Sequence, residues 1–193
     1  MGEAAPNEAA LLRRARSGDV EAFGLLVEEH QDYVFNVVYH LVGNDRDAED
    51  IAQEVFLRAY SHLAGFEGRA RFSTWLYGIA LNCVRSMWRR RRSRSSSSLD
   101  GGADEEAGRI DPAADGDGPE ETALRGERVA LVRQAIAALD EEMKEVIVLR
   151  DVQGLTYDEI AEALGVALGT VKSRIHRARA ALKDTLEPHF GTI

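Results

Sequence analysis

Apolar residues recur at helical spacing along most of this chain. Between residues 7 and 94 they return every three or four positions, and no stretch alternates with a period of two for long enough to indicate a strand. Small or polar breaks at Ser17-Gly18, at Gly43-Asn44-Asp45 and from Gly65 to Gly68 divide this region into helices. The pattern predicts four helices, over residues 7–16, from 19 to the Gly43 break, over 47–63 and over 73–92.

The helical pattern is interrupted between residues 95 and 119. This segment begins with four consecutive Ser residues and continues with Gly, Asp and Glu, almost without large apolar side chains. Helical spacing resumes near Glu120, continues to Leu139, and restarts after Asp140, which is a suitable N-cap residue. The sequence therefore predicts an all-α protein with two small helical domains, residues 1–94 and 120–193, joined by a flexible acidic linker over 95–119.

The last forty residues have the pattern of a helix-turn-helix, in which the second helix is basic. Thr156 followed by Glu159 predicts a capping box, and Gly165 is placed to end the first helix. The second helix has an apolar stripe at spacings of four, three and four residues. Its outward side carries Lys172, Ser173, His176 and Arg177. Such donors can read bases in the major groove, although a solvated basic face on a helical hairpin is the alternative.

A formal net charge of −9 is unusual for a protein that binds DNA. Residues 95–127 contain ten Asp or Glu and only two Lys or Arg, whereas the two signs nearly balance on either side. The acidity is therefore local, and it does not exclude binding of nucleic acid by the two helical domains.

Aromatic residues and arginines are interleaved between residues 66 and 94. Two arginines lie in the loop after Phe66, and six more lie among residues 85–94. Aromatic faces that stack on bases and cations that contact phosphates are typical of sites for single-stranded nucleic acid. Asn82 adds an amide that can donate to and accept from an unstacked base. The spacing of Phe72 and Trp75 also fits a buried helix face, so most of these aromatic residues are predicted to be core.

The helix predicted over residues 47–63 has a polar side that contains Asp50, Gln53 and Glu54 and also exposes Leu57. The pattern alone favours a solvated face over an interface with another protein.

Cysteine content and motifs exclude several classes of function. A single cysteine, Cys83, excludes an internal disulfide and a multi-cysteine zinc site, and its thiol is predicted to be buried. There is no phosphate-binding Gly-Lys-Ser/Thr loop, no His-Glu-x-x-His and no nucleophile–base pair, so we expect neither catalysis, nor a cofactor, a metal or a small-molecule substrate. No apolar run approaches the length of a membrane span, and no signal-peptide core is visible, which predicts a cytoplasmic protein.

Three motifs, in this order, resemble those of RNA polymerase sigma factors of the extracytoplasmic-function type. They are Asp47-Ala-Glu-Asp-Ile-Ala-Gln-Glu-Val-Phe56, then Phe72-Ser-Thr-Trp-Leu-Tyr77 with Ala80-Leu-Asn82, and finally Gly154-Leu-Thr-Tyr-Asp-Glu-Ile-Ala161 with Gly169-Thr-Val-Lys-Ser-Arg174. The resemblance covers the chain apart from the linker. The chain departs from the family pattern at Ala167-Leu168, where Pro or Ser is frequent, which predicts a weaker cap on the basic helix.

The resemblance implies a transcription initiation factor that binds core RNA polymerase and directs it to −35 and −10 promoter elements, with melting of the −10 element by base capture. It implies contact with the clamp helices of the beta-prime subunit through Asp50, Gln53, Glu54 and Leu57, and a further contact with the beta flap. Residues implied for the −10 element are Phe66, Arg69, Arg71, Asn82, Arg85 and Arg89. Residues assigned to the −35 element are Thr170, Lys172, Ser173, Arg174, His176, Arg177 and Arg179, of which Arg174 and Arg179 flank the base-reading face and are expected to contact phosphates. An anti-sigma factor, commonly membrane-bound in this family, is a further implied partner.

Two other classes of protein share part of this pattern. One is a helix-turn-helix regulator of the response-regulator type with an N-terminal sensor domain, which would require neither the acidic helix nor the arginine-aromatic segment. The other is an RNA-binding antitermination protein, which would not require a capped helix for the major groove.

Overall fold

The computed structural model describes residues 7–95 and 119–191, and within these ranges the chain is helical without strands. The all-α prediction is therefore confirmed. The N-terminal half contains α1 (Glu8–Arg16), α2 (Val20–Val42), α3 (Asp45–His62) and α4 (Phe72–Ser95), with a short 3-10 turn at Leu63–Gly65. Ser95 ends α4 and Pro119 begins the next helix, so residues 96–118 of the predicted linker lie outside the described residues.

Side-chain caps determine where the first three helices begin. Asn7 and Asp19 accept hydrogen bonds from backbone N–H groups of the first turns of α1 and α2. Asn44 does the same for α3, and its Oδ1 lies 2.9 Å from the nitrogen of Asp47. This cap starts α3 at Asp45, two residues before the predicted start, because the break at Gly43 contains its own capping residue. Gly43 itself has φ of 84° and ends α2 in the left-handed conformation.

The apolar stripes of α2, α3 and α4 meet in a common core. Leu26, Val37 and Val38 of α2 are completely buried, as are Val55 of α3 and Leu76 of α4. Helical spacing in α3 also predicts that Tyr60 is buried, which is wrong. The residue is 43% exposed at the edge of the core, where its ring packs against Phe23 with 5.0 Å between ring centroids.

The C-terminal half contains α5 (Pro119–Ala137), α6 (Glu141–Ile147), α7 (Tyr157–Leu164) and α8 (Leu168–Phe190), with a π-helical turn at Val148–Val152 after α6. Asp140 precedes α6, but its side chain makes no capping hydrogen bond, so the predicted cap is wrong. The nitrogens of Met143 and Lys144 bond instead to the backbone oxygen of Asp140, at 2.9 Å.

The turn between α7 and α8 agrees with the predicted helix-turn-helix. Thr156 and Glu159 form a complete capping box, and Gly165 ends α7 with φ of 66° and ψ of 35°. Ala167 precedes α8 without a side-chain cap, which confirms the weaker cap expected there. Val171, Ile175 and Ala178 form the buried stripe of α8.

The two helical halves share one continuous hydrophobic core, which the prediction of two domains on a flexible linker did not include. Buried residues of α4 and of α6 to α8 belong to the same cluster. α4 packs directly on α7, so closely that a Cβ added to Gly78 would lie 3.2 Å from the backbone oxygen of Ala163. A glycine at this position permits the close approach of the two helices.

We expect Thr156→Ala to lower the free energy of unfolding by about 1 kcal/mol, because the first turn of α7 loses its side-chain acceptor.

Hydrogen bonds from Thr156 lower the pKa of Glu159, so the stabilisation by this carboxylate is present above its ordinary pKa and is lost as the pH falls through the lowered pKa. Urea denaturation at neutral and acid pH measures both effects. Thr185→Ala is the control, since the Thr185 hydroxyl bonds to the backbone oxygen of Ala181 within α8 and caps no helix.

Candidate functional site

The outward face of α8 is exposed to solvent at its four central positions. Lys172, Ser173, His176 and Arg177 are all exposed, on the side opposite the buried stripe. The Ser173 hydroxyl donates to the backbone oxygen of Thr170 at 2.9 Å, which directs its lone pairs outward. Thr170 is half-buried at the start of this face. The arrangement presents several donors and one hydroxyl on a single helical ridge, as required to read a major groove.

The two arginines that flank this face have carboxylate partners. Arg179 forms a bidentate pair with Asp151, at 2.6 and 3.2 Å, and these hydrogen bonds raise the pKa of Arg179. Its side chain remains half exposed. Arg174 differs, because its side chain is only 12% exposed and lies 2.8 Å from Glu142. In this arrangement Arg174 is a packing residue, whereas Arg179 keeps an accessible surface.

The polar side of α3 is exposed, and it carries a large apolar side chain among the charges. Asp50 and Gln53 are exposed, and Leu57 is 73% exposed. Glu54 is half-buried and pairs with Arg58 one turn later. An isolated exposed leucine is common on protein surfaces, but one surrounded by acidic and amide groups also suits a protein interface.

The predicted role of Phe66 in base stacking does not fit this structure, in which Phe66 is 6% exposed and lies in the core. Its ring centroid is 5.0 Å from that of Trp75 and 5.6 Å from that of Phe72. The three rings form one aromatic cluster at the start of α4, in the tilted and edge-on arrangements that aromatic pairs prefer. Burial in this cluster removes the face of Phe66 from solvent. The expectation that most aromatic residues of this segment are core holds for Phe66 as well.

The loop and the exposed side of α4 carry the remaining residues predicted for the −10 element. The side chains of Arg69 and Arg71 are about four-fifths exposed. Arg69 pairs with Glu67, and Arg71 lies 3.3 Å from Glu159 of α7. Asn82 and Arg89 are also exposed on α4. The Arg89 guanidinium donates to the Ser86 hydroxyl at 3.0 Å. Asn82 and these arginines are therefore accessible on the surface, and Arg71 lies at the contact with α7.

Arg85 joins the two halves of the molecule. Its guanidinium donates to both carboxylate oxygens of Glu145 on α6, each at 2.6 Å. Glu145 is 2% exposed, and Arg85 about one third exposed. The hydrogen bonds from the guanidinium to Glu145 raise the pKa of Arg85. A residue predicted to contact DNA is therefore occupied by an ion pair between the two halves.

Further contacts surround this pair. Lys144 lies over the ring of Trp88 with its Nζ 5.8 Å from the ring centroid, and burial lowers its pKa. Arg92 of α4 pairs with Glu141 of α6 at 3.1 Å. Together with the Arg71–Glu159 contact, these pairs place basic residues of the N-terminal half against acidic residues of α6 and α7.

Glu145 is the residue at this site that the sequence analysis missed. It stands in the run Glu145-Val-Ile-Val-Leu149, whose other four members are buried. A carboxylate at the start of an apolar run is a signal that a partner is needed, since acidic side chains are almost never fully buried unless paired. The identity of that partner, sixty residues earlier in the chain, does not follow from helical periodicity.

Among the described residues, no helix combines the length and apolar content that a membrane span requires.

Comparison with known protein families gives two matches. Residues 26–94 match the family described as Sigma-70 region 2, and residues 130–182 match the family described as Sigma-70, region 4. The first match contains α2 from Leu26, then α3, the loop after it and α4 up to Arg94. The second contains α6 to α8 up to Leu182.

Curated proteins are similar over nearly the whole chain. The RNA polymerase sigma-H factor of Pseudomonas aeruginosa is 38% identical over 92% of this chain and 93% of that protein. The ECF RNA polymerase sigma factor SigW of Bacillus subtilis is 36% identical over 91% of this chain and 94% of its own length. The ECF RNA polymerase sigma-E factor of Escherichia coli is 35% identical over 92% and 93%, respectively.

Two solved structures have a similar arrangement of helices. CnrH in complex with the cytosolic domain of CnrY superimposes with a TM-score of 0.67 and 29% identity, over 93% of this chain and 96% of that one. The sigma factor RpoE in complex with the anti-sigma factor NepR, from Bartonella quintana, gives a TM-score of 0.68 and 26% identity, over 86% and 98%.

We expect Glu145→Gln to weaken the packing of the two halves, since the amide keeps the shape of the carboxylate but loses its charge and one acceptor for Arg85. Loss of a hydrogen-bonded charge at a buried position should lower the free energy of unfolding by roughly 1–3 kcal/mol. Urea denaturation measures the change. Glu187→Gln, a half-buried glutamate near the end of α8, is the control, and an equal effect of both variants would contradict a special role for Glu145.

Proposed function

Because the chain belongs to the sigma-70 family of RNA polymerase sigma factors, in its extracytoplasmic-function group, we propose a role for each of its exposed surfaces in promoter-directed transcription initiation. Proteins of this family give core RNA polymerase its promoter specificity and are not catalysts. This chain contributes recognition and binding, while the polymerase performs the chemistry. It acts where the polymerase acts, in the cytoplasm.

The exposed side of α3 binds core RNA polymerase. The observation that supports this is the exposure of Leu57 beside Asp50 and Gln53, in the segment that matches Sigma-70 region 2. An apolar side chain ringed by polar groups provides both buried area and hydrogen bonds at an interface. The clamp helices of the beta-prime subunit are the partner proposed for this face, and the beta flap is proposed for the C-terminal half.

The exposed side of α4 and the loop before it bind the melted −10 element. Asn82 offers a donor and an acceptor, and Arg69, Arg71 and Arg89 are exposed for phosphate contacts. Phe66 is left out of this assignment because its ring is buried in the aromatic cluster. Its contribution is to hold the loop against α4.

α8 reads the −35 element. The exposed face with Lys172, Ser173, His176 and Arg177 supports this proposal. The first turn of α8 adds a second kind of contact. Because Ala167 provides no side-chain cap, the N–H groups of this turn that lack intrahelical partners can donate to a DNA phosphate. Arg179 is accessible for a further phosphate contact, whereas Arg174 supports the helix through Glu142.

Promoter binding requires the two halves to separate. Arg85 is held by Glu145, and Arg71 lies next to Glu159, so basic residues of the −10 surface face carboxylates rather than DNA. DNA bound along α4 would compete with the acidic residues of α6 and α7 for the same cations. Separation of the two halves exposes this surface. Residues 95–119, of which 96–118 lie outside the described residues, then connect the two halves.

An anti-sigma factor is a proposed partner that would act on this equilibrium. CnrH and RpoE were each solved bound to a second protein, which for RpoE is named as an anti-sigma factor. We call the conformation in which the two halves are in contact the closed arrangement. By analogy, a protein that binds this chain in the closed arrangement would keep the proposed −10 surface covered, because a ligand stabilises the conformation to which it binds.

Glu145→Gln also tests the need for separation. With the ion pair weakened, the variant should bind a single-stranded −10 oligonucleotide more tightly than the wild-type chain does, as measured by fluorescence anisotropy. Unchanged binding, in a variant whose unfolding shows the weakened interface, would mean that the closed arrangement does not limit access to α4.

Reversing two charges on α3, with Asp50→Arg and Glu54→Arg, should abolish binding to core RNA polymerase while the fold is retained. The expected reason is repulsion and loss of hydrogen bonds at the rim around Leu57. Co-purification with core enzyme measures the interaction, and circular dichroism measures the fold. The matched control reverses Glu28 and Asp32, which have the same spacing on the exposed side of α2. If the α3 variant still co-purifies at wild-type yield, this face is not the docking surface.

Asn82→Ala should reduce melting of the −10 element, because an unstacked base would lose hydrogen bonds worth roughly 1–3 kcal/mol. Permanganate footprinting of a promoter complex measures the open region. Asn36→Ala, at an exposed position of α2, is the control for loss of an asparagine side chain. An unchanged footprint for Asn82→Ala would place base capture elsewhere.

Lys172→Ala and Arg177→Ala should each relax the preference for particular bases of the −35 element, by about 1–3 kcal/mol where the contact is bidentate. Arg179→Ala should instead weaken all promoters alike and reduce the salt dependence of binding, as expected for a phosphate contact. A library of −35 sequences, bound at two salt concentrations, distinguishes the two behaviours. The assignment is refuted by indistinguishable profiles for the three variants.

A further inference from the structure

A histidine of α2 and two glutamates form a cluster on the side of the N-terminal half formed by α1 and α2. Glu8 lies in the first turn of α1, and Glu29 and His30 are neighbours in the middle of α2. One ligand atom from each of the three residues lies within 4.8 Å of the other two. The proposed functions of α3, α4 and α8 use none of them.

The His30 imidazole is buried with one nitrogen unsatisfied. The residue is 7% exposed, and its Nε2 is buried without a hydrogen-bond partner among the described residues. A buried polar atom without a partner is unusual in a native protein and costs free energy unless an unseen group satisfies it. Phe72 covers the ring at 5.3 Å between centroids, in an edge-on arrangement, and this side of the ring is apolar.

The unsatisfied nitrogen is directed at a carboxylate. His30 Nε2 is 3.8 Å from a carboxylate oxygen of Glu8, which is longer than a hydrogen bond of about 3.2 Å at most. A Zn²⁺ ion binds imidazole nitrogen at about 2.0–2.1 Å and carboxylate oxygen at about 2.0–2.2 Å, so two ligands of one tetrahedral ion lie about 3.4 Å apart. The observed separation is closer to this spacing than to the length of a direct hydrogen bond.

We propose that Glu8, Glu29 and His30 bind a divalent transition-metal ion, with Zn²⁺ as the best fit, and that this ion joins α1 to α2. One neutral imidazole and two carboxylates are a ligand set suited to zinc, and a water molecule completes four-coordination. The charge of the ion offsets two carboxylates that would otherwise repel one another. The expectation from sequence of no metal site rested on cysteine content and short motifs, whereas these residues are separated by twenty-one positions and meet only through the packing of α1 on α2.

The test uses the full chain, without a histidine tag and treated with a chelator before dialysis. Isothermal titration with ZnCl₂ near neutral pH, supported by the visible spectrum of Co²⁺ as a substitute ion, measures affinity and stoichiometry. The wild-type chain should bind a single strongly held ion and become more stable to heat. Glu8→Gln and Glu29→Gln should each weaken binding by roughly tenfold or more, since each removes a charged ligand.

Glu28→Gln is the matched control, because Glu28 is an exposed neighbour on the same helix and belongs to no such cluster. It should bind Zn²⁺ as the wild-type chain does. His30→Asn completes the set, but the two glutamine variants decide the question if loss of the buried imidazole impairs folding.

Three results would overturn the proposal. One is the absence of saturable Zn²⁺ binding by the wild-type chain, and another is equal binding by the Glu8, Glu29 and Glu28 variants, which would place the ion at other residues. The third is a loss of thermal stability in Glu8→Gln that is the same with and without Zn²⁺, together with unchanged affinity. That result would identify an ion pair between Glu8 and protonated His30 in place of a metal site.

Discussion

The arrangement of the two helical halves depends on a buried carboxylate. Glu145 has lost nearly all contact with water, and a charge in that position is stable only when an opposite charge and hydrogen bonds replace its hydration. Arg85 supplies both from the other half of the chain. The apolar surfaces of α4 and α7 are in contact beside this pair, where a Cβ added to Gly78 would lie 3.2 Å from the backbone oxygen of Ala163.

This constraint also decides which surfaces are open. The outward faces of α3 and α8 lie away from the contact between the halves and are exposed in the closed arrangement. The surface proposed for the −10 element, on α4 and the loop before it, is different, because Arg71 and Arg85 are paired with carboxylates of the other half. In this conformation the faces proposed for polymerase and for the −35 element are accessible, while part of the proposed −10 surface is occupied. Under that proposal, acidic residues of α6 and α7 take positions that the phosphates of DNA would otherwise fill.

Two buried polar groups in this fold differ in whether they have hydrogen-bond partners. At the contact between the halves, the buried carboxylate has a full set of donors, and the pair is a fixed part of the structure. Between α1 and α2, the buried Nε2 of His30 has no hydrogen-bond partner in the described part of the chain, and it lies 3.8 Å from a carboxylate oxygen of Glu8. The paired carboxylate of Glu145 stabilises the contact between the two halves. The unpaired nitrogen of His30 is instead the observation that supports a bound ligand.

The sequence by itself determined the helices, the capping box at Thr156, the left-handed glycine that ends α7 and the outward faces of α3 and α8. Each of these follows from residues within one or two helical turns, where periodicity and capping chemistry act. The tertiary structure alone decided the burial of Phe66, the pairing of Arg85 with Glu145 and the meeting of Glu8 with His30. The last two contacts join residues far apart in the chain, and Phe66 is buried by rings that lie across a loop from it. Helical periodicity does not distinguish an exposed arginine from one that is paired with a carboxylate. The sequence therefore specifies which surfaces exist, and only packing decides which of them are covered.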